Sequence, residues 1–287
     1  MTLTRQQVRR AYIYACYQEI EALKPGNVHR FADGHRMTAQ QFLASAQVSA
    51  APISNRALSV GKRILDAVKA TSLKVGTNTN LGILLLCAPL AKTAEMSAGD
   101  LETGIKATLQ SLGTEDARNI FAAIVHARPG GLGSAPEHDV NDAPDVSLLE
   151  AMGAAADRDM IARQYVTDFS DILDGGLRAH MAAMDCGEQH MWPTVFVYLH
   201  FLSNFVDSHI VRKHSVAIAE QTRNEARQIL DKVRGIRDGR EREKLLLSFD
   251  ARLKAANVNP GTSADLTVAC LFAFKLNWLL HNGHVNA

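Results

Sequence analysis

Seven residues, Lys24-Pro25-Gly26-Asn27-Val28-His29-Arg30, place three cationic or titratable heads and an amide on one short stretch of chain. Pro-Gly interrupts a helical pattern here. Proline disfavours the helical region for the residue before it, and glycine accepts backbone angles that others avoid. Lys24, His29 and Arg30 then stand on loop backbone, with Gly26 and Asn27 among them. Arginine brings a planar fork of donors, lysine a point charge and histidine a switchable proton, a set that suits a phosphorylated or carboxylated ligand. A basic turn between helices with no ligand would carry the same letters.

Three later stretches share this character. Residues 76–82, GTNTNLG, run straight into the apolar residues 83–90. Asn78, Thr79 and Asn80 thus stand at the mouth of a buried helix, where free N–H groups and a partial positive charge favour anions. An elaborate N-cap is the plainer account, although two asparagines are costly to bury without partners. Residues 128–133, RPGGLG, hold four helix breakers, so backbone at Gly130 and Gly131 can approach a ligand. Residues 259–266, NPGTSADL, open the last apolar helix. There Thr262 or Ser263 can cap, and Asp265 sits in the first turn, where the helix dipole favours a carboxylate. Alternatively, Asp265 holds a divalent cation while N–H groups around Gly261, Thr262 and Ser263 hold phosphate oxygens. Three of the eight prolines precede a glycine, at 25–26, 129–130 and 260–261. The expectation is that the four loops meet on one side and enclose a phosphate-rich ligand.

The elements that position these loops read almost entirely as helix. Aromatic residues make up only 6% and alternating β-branched runs are scarce, whereas Ala, Leu, Gln, Arg and Glu favour helices. The spacing predicts helices over about 4–23, 38–51 with Thr38 as N-cap, 52–70 restarted by Pro52, 81–91, 97–112, 115–127, 148–156 with Ser147 as N-cap, and 158–185 with a break at Gly175-Gly176. Further helices are expected over 192–205, over 216–256 with a break near Gly239, and from the fourth loop to about Leu280. The 81–91 helix is apolar all round and should be central. Asp168, Asp171 and Asp174 share a face, read as solvated rather than metal-binding. Ser208 to His214 is a second basic cluster. The acidic residues 134–145, SAPEHDVNDAPD, form either a lid or a solvated connection.

Composition narrows the function. With 287 residues and a net charge of +1, the chain can bury a sizeable core and shows no bulk attraction to nucleic acid or an anionic membrane. Its four cysteines are scattered without metal spacing, which suits a reducing, cytoplasmic compartment. The start MTLTRQQVRRAY is too polar for a signal peptide, and residues 81–91 are too few to span a bilayer.

KPGNVHR, GTNTNLG, RPGGLG and NPGTSADLTVACLF, in this order and over nearly the whole chain, resemble the triphosphoribosyl-dephospho-CoA synthase family. The resemblance implies a single all-α domain over 1–287, with the site formed by interhelical loops. It implies a transferase that moves the triphosphoribosyl group of ATP to dephospho-CoA with release of adenine, and Mg²⁺ for the triphosphate. Lys24, Arg30 and Asp265 would match the family's basic and carboxylate loop residues, with Asp265 at the metal, and Asn78-Thr79 its Asn-Thr pair. Members serving citrate lyase have KPGLVDR and NTHKG where this chain has KPGNVHR and NTNLG. These departures resemble the divergent branch of archaea and one-carbon-metabolising bacteria. They leave open a related enzyme of one-carbon carrier (tetrahydromethanopterin-like) cofactor synthesis with another phosphorylated substrate. A helical binding protein is the non-enzymatic alternative, suggested by the charged stretch 216–256. Expected partners are ATP or another phosphorylated nucleotide and a second phosphorylated small molecule, with a homodimer left open.

Overall fold

We describe a computed structural model of the chain, which covers residues 2–96, 99–130, 140, 142 and 146–282. The described residues form an all-α fold. In order they are α1 (Arg5–Glu21), α2 (Ala39–Ile53), α3 (Val60–Val75), α4 (Leu81–Met96), α5 (Leu101–Gln110), α6 (Thr114–Ala127), α7 (Leu148–Ala155) and α8 (Met160–Val166). A π-helical turn (Asp171–Gly176) precedes α9 (Leu177–Asp185), α10 (Trp192–Asn204), α11 (Ser208–Lys213), α12 (Val216–Gly235), α13 (Gly239–Ala255) and α14 (Gly261–Asn282).

Capping explains many starts. Thr4 and Thr38 each form a reciprocal capping box with the glutamine three residues on, and Ser147 caps α7. Two expected boundaries shift. Pro52 does not restart a helix but sits inside the last turn of α2, and α3 begins at Val60 under a Ser59 cap. The long stretch 158–185 breaks at Asp168 and Phe169, both with positive φ, rather than only at Gly175-Gly176. With that break the three aspartates no longer share one helical face: Asp168 and Asp174 are exposed, the latter paired with Arg178, while Asp171 turns inward to Arg163 and Gln164.

Two apolar clusters make the core. One gathers α1 to α8 and most of α14; the other joins the end of α1 to α9 through α13. Helix α14 belongs to both, with Ala264 in the second and Leu266 to Leu276 in the first. It is 22 residues long and apolar enough to cross a membrane by composition, yet 61% of its most apolar window is buried against other helices, as a core helix would be. Helix α4 is buried almost all round, as its sequence requires. The first turns of α4 and α14 lie together: a Cβ on Gly82 would stand 2.6 Å from Asp265 Cγ. Only a glycine permits that approach.

Candidate active site

The loop 24–30 is built into the protein from behind. Gly26 has φ +83, and a Cβ there would meet Pro260 Cδ at 2.8 Å, so the first loop packs directly on the fourth. Gly26 N–H donates to Asp250 Oδ1 at 2.8 Å, Tyr198 donates to the Pro25 carbonyl at 2.6 Å, and Asn27 Nδ2 donates to Asn259 Oδ1 at 2.8 Å. Lys24 is fully buried. Its ammonium pairs with Glu19 at 2.6 Å and donates to Asn27 Oδ1 and to the Val28 carbonyl. Burial draws its pKa down, against the pull of Glu19. His29 is also buried, 3.3 Å from Asp250, with its pKa lowered by burial despite that carboxylate.

The second loop is fastened to α2. Thr79 and Ser45 hydroxyls lie 2.6 Å apart, Asn80 Nδ2 donates to Ser49, and Asn78 Oδ1 accepts the Leu81 N–H. At the fourth loop the cap comes from another element. Asp207 Oδ2 accepts both the Ser263 N–H and the Ser263 hydroxyl, at 2.7 and 2.8 Å. Its Oδ1 accepts from His209 and Ile210 and so caps α11. One carboxylate therefore holds the first turns of two helices.

Between these loops lies a cavity of about 1700 Å³. Asn27 borders it from the first loop, Asn78, Thr79 and Asn80 from the second, Gly130 from the third, and Asn259, Gly261 and Asp265 from the fourth. The structure brings together residues from all four stretches. Several others are placed away from the cavity. Arg30 is half-exposed, paired with Glu21 at 2.7 Å and stacked on Phe31, and does not border the cavity. Lys24, Gly26 and His29 stand behind the wall, and Lys24 reaches it through Glu19 and Asn27, which both line the cavity. Thr262 and Ser263 face Ser208 and Asp207, where they secure the start of α14. Gly131 and most of residues 134–145 lie outside the described residues.

Among the described residues three carboxylates line the wall: Glu19, Asp159 and Asp265. Glu19 is held by Lys24. Asp159 caps α8 and pairs with Arg212 at 2.6 Å. Among the described residues nothing donates to Asp265. Burial first, then Glu19, Asp207 and Asp159, hold its carboxyl well above the usual range, with Arg212 opposing. Such a group is poised to gain either a cation or a proton.

The cationic side of the wall comes from residues that the loop motifs did not flag as site residues. Arg36, Arg128, Arg158, Arg212 and Lys213 border the cavity, with the imidazoles of His35, His209 and His214 among them. His209 is pushed down to about 4, by burial first and then by Arg212, Lys213, His35 and His214. The basic letters of 208–214 were the available signal. Helix α11 has six residues, too short for periodicity to reveal which way it faces.

Comparison with known proteins bears on the family and the fold. The sequence model of the family described as "CitG: ATP:dephospho-CoA triphosphoribosyl transferase" matches residues 5–283. A crystal structure from Archaeoglobus fulgidus, provisionally described as a triphosphoribosyl-dephospho-CoA synthase, superposes with a TM-score of 0.61 at 23% identity. The match covers 82% of this chain and 99% of that one, and shows a shared fold. No curated protein matches the chain.

Proposed function

The chain belongs to the ATP:dephospho-CoA triphosphoribosyl transferase family and is a transferase, and we propose that it moves the triphosphoribosyl group of ATP to a phosphorylated acceptor, dephospho-CoA in the first instance. The observation that carries this reading is the single cavity of about 1700 Å³ bordered by all four loops, cationic on one side and with an unengaged carboxylate on the other. Pockets for one drug-sized ligand run to about 300–1,000 Å³, so this one has room for a donor and an acceptor together.

In that reaction the acceptor hydroxyl oxygen bonds to C1′ of the ATP ribose as the C1′–N bond to adenine breaks. Adenine leaves with the bonding electron pair and gains a proton, and the triphosphate stays on the product. Positive charge developing at the ribose and negative charge on the phosphates call for pre-set electrostatics. The α11 cations and Arg158 face the phosphates. Asp265 is the wall carboxylate free to accept the hydroxyl proton or to hold Mg²⁺. Among the described residues no cluster of three or more His, Cys, Asp or Glu could cage a metal. One carboxylate plus ligand phosphates is the mode Mg²⁺ commonly uses, and the crowding of carboxylates around Asp265 fits a cation there. Bound Mg²⁺ would neutralise triphosphate charge.

A second reading keeps the scaffold and changes the acceptor. Asn80 and Leu81 stand on the wall where the citrate-lyase branch has a His-Lys pair, and Val68, Leu85, Phe121 and Ile124 extend an apolar side. That wall suits a less charged partner, such as a pterin-like precursor of a one-carbon carrier. Measuring adenine released from ATP, with dephospho-CoA or a pterin acceptor and with or without Mg²⁺, tests both. Release with dephospho-CoA at enzymic rates supports the first reading, release with the pterin alone supports the second, and no release with either overturns both.

A further inference from the structure

The third loop carries Arg128-Pro129-Gly130, and a Cβ on Gly130 would stand 2.7 Å from Lys213 Cε and closer still to Nζ. The lysine head lies across the bare α-carbon of Gly130 at the cavity wall. Among the described residues Lys213 has no ion pair and no hydrogen bond. Its neighbour Arg212 spends one nitrogen on Asp159, and its Nε is buried without a partner. His209, on the same short helix, seats its ring over Gly261, where a Cβ would meet Nδ1 at 2.8 Å. Helix α11 thus brings the Arg212 and Lys213 heads to one wall, where among the described residues their one ion pair is that of Arg212 with Asp159. Asp207 fixes that helix to the start of α14, so the heads hold a set position relative to Asp265.

From this we infer that Lys213, admitted to the wall by the absence of a side chain on Gly130, is a substrate-contacting residue that grips a polyphosphate group together with Arg212. The inference rests on the reaction proposed above for its ligand class. The third loop then acts through Lys213 rather than by offering its own backbone. Because the obstructed atoms are the far end of a flexible side chain, Gly130→Ala displaces the ammonium at little cost to folding, which makes the pair separable by experiment.

The test is a double-mutant cycle on binding, with inorganic triphosphate, ATP and dephospho-CoA as probes in isothermal titration. Lys213→Ala should weaken triphosphate binding about tenfold, as expected for one charge-assisted contact, with Lys213→Arg recovering most of it. Gly130→Ala should weaken it comparably, and the double variant should be no worse than Lys213→Ala alone. If the loss also falls on ATP, the grip belongs to the donor triphosphate; if on dephospho-CoA, to the acceptor pyrophosphate. Unchanged binding of all three probes in Lys213→Ala, additive losses in the double variant, or no wild-type binding of any probe overturns the inference. Titration reports binding and not turnover, so a failed adenine-release assay bears on the reaction alone.

Discussion

At the scale of single residues, charge in this protein divides between groups that build the wall and groups that face the cavity. Asp265 belongs to the second kind. Its carboxyl is held well above the usual range by burial and neighbouring carboxylates. A raised acid in the folded state binds a proton that the unfolded chain releases, so stability falls as pH climbs from about 4, the unfolded value, toward the folded one. Asp265→Asn should remove that decline. Its melting temperature should equal or exceed wild type at neutral pH, with the gap widening upward from pH 4, while adenine release falls at least about 100-fold. A variant that melts lower at pH 8 and keeps its turnover would contradict both assignments. Lys24 belongs to the first kind. Lys24→Ala leaves Glu19 buried without its partner and should cost about 3–5 kcal/mol in urea unfolding. Arg30→Ala, by contrast, removes an exposed ion pair and should change stability by less than about 1 kcal/mol and activity by less than about twofold. Sequence grouped these two cations with His29 because all three sit within seven residues. What separates them is depth, and depth depends on Asp250 and Tyr198, which come from elsewhere along the chain, as well as on the nearby Glu19.

Among the elements, the legible parts were those whose cause is local. Thr38 and Ser147 cap the helices that follow them, and α4 is buried on all sides because no face of it is polar. The illegible parts have non-local causes. The break at Asp168-Phe169 carries neither Gly nor Pro, and its left-handed angles answer to the packing of Phe169 in the core. Ser263 reads as a cap but instead donates to Asp207, 56 residues earlier. That shared cap predicts that Asp207→Ala uncouples α11 from α14, costing about 1–4 kcal/mol for two lost caps. Restoring the fold with a stabilising osmolyte should not restore activity, because α11 would no longer hold Arg212 and Lys213 in place. Full activity under those conditions would show that α11 plays no part in binding.

Across the whole molecule, the convergence of four loops was anticipated from the Pro-Gly repeats and the Asn-Thr run, whereas the cationic wall opposite Asp265 was not. If that wall receives polyphosphate, saturating ligand should stabilise the fold. At about 100 times Kd the gain is about 2.7 kcal/mol, or roughly 5 °C for a chain of this length. No rise with either ATP and Mg²⁺ or inorganic triphosphate would sink the binding reading. The contacts that seal the cavity also span the chain. Gly26 bonds to Asp250 and Asn27 to Asn259, separations of 224 and 232 residues. During synthesis the first loop therefore emerges long before its distant partners, and Lys24 has only Glu19, Asn27 and the Val28 carbonyl as partners until Tyr198 and then Asp250 and Asn259 follow. Contacts this distant along the chain slow folding. A chain that stops short of Asp250 and Asn259 would lack the partners that seat Gly26 and Asn27, so ligand could stabilise the fold only once both are present.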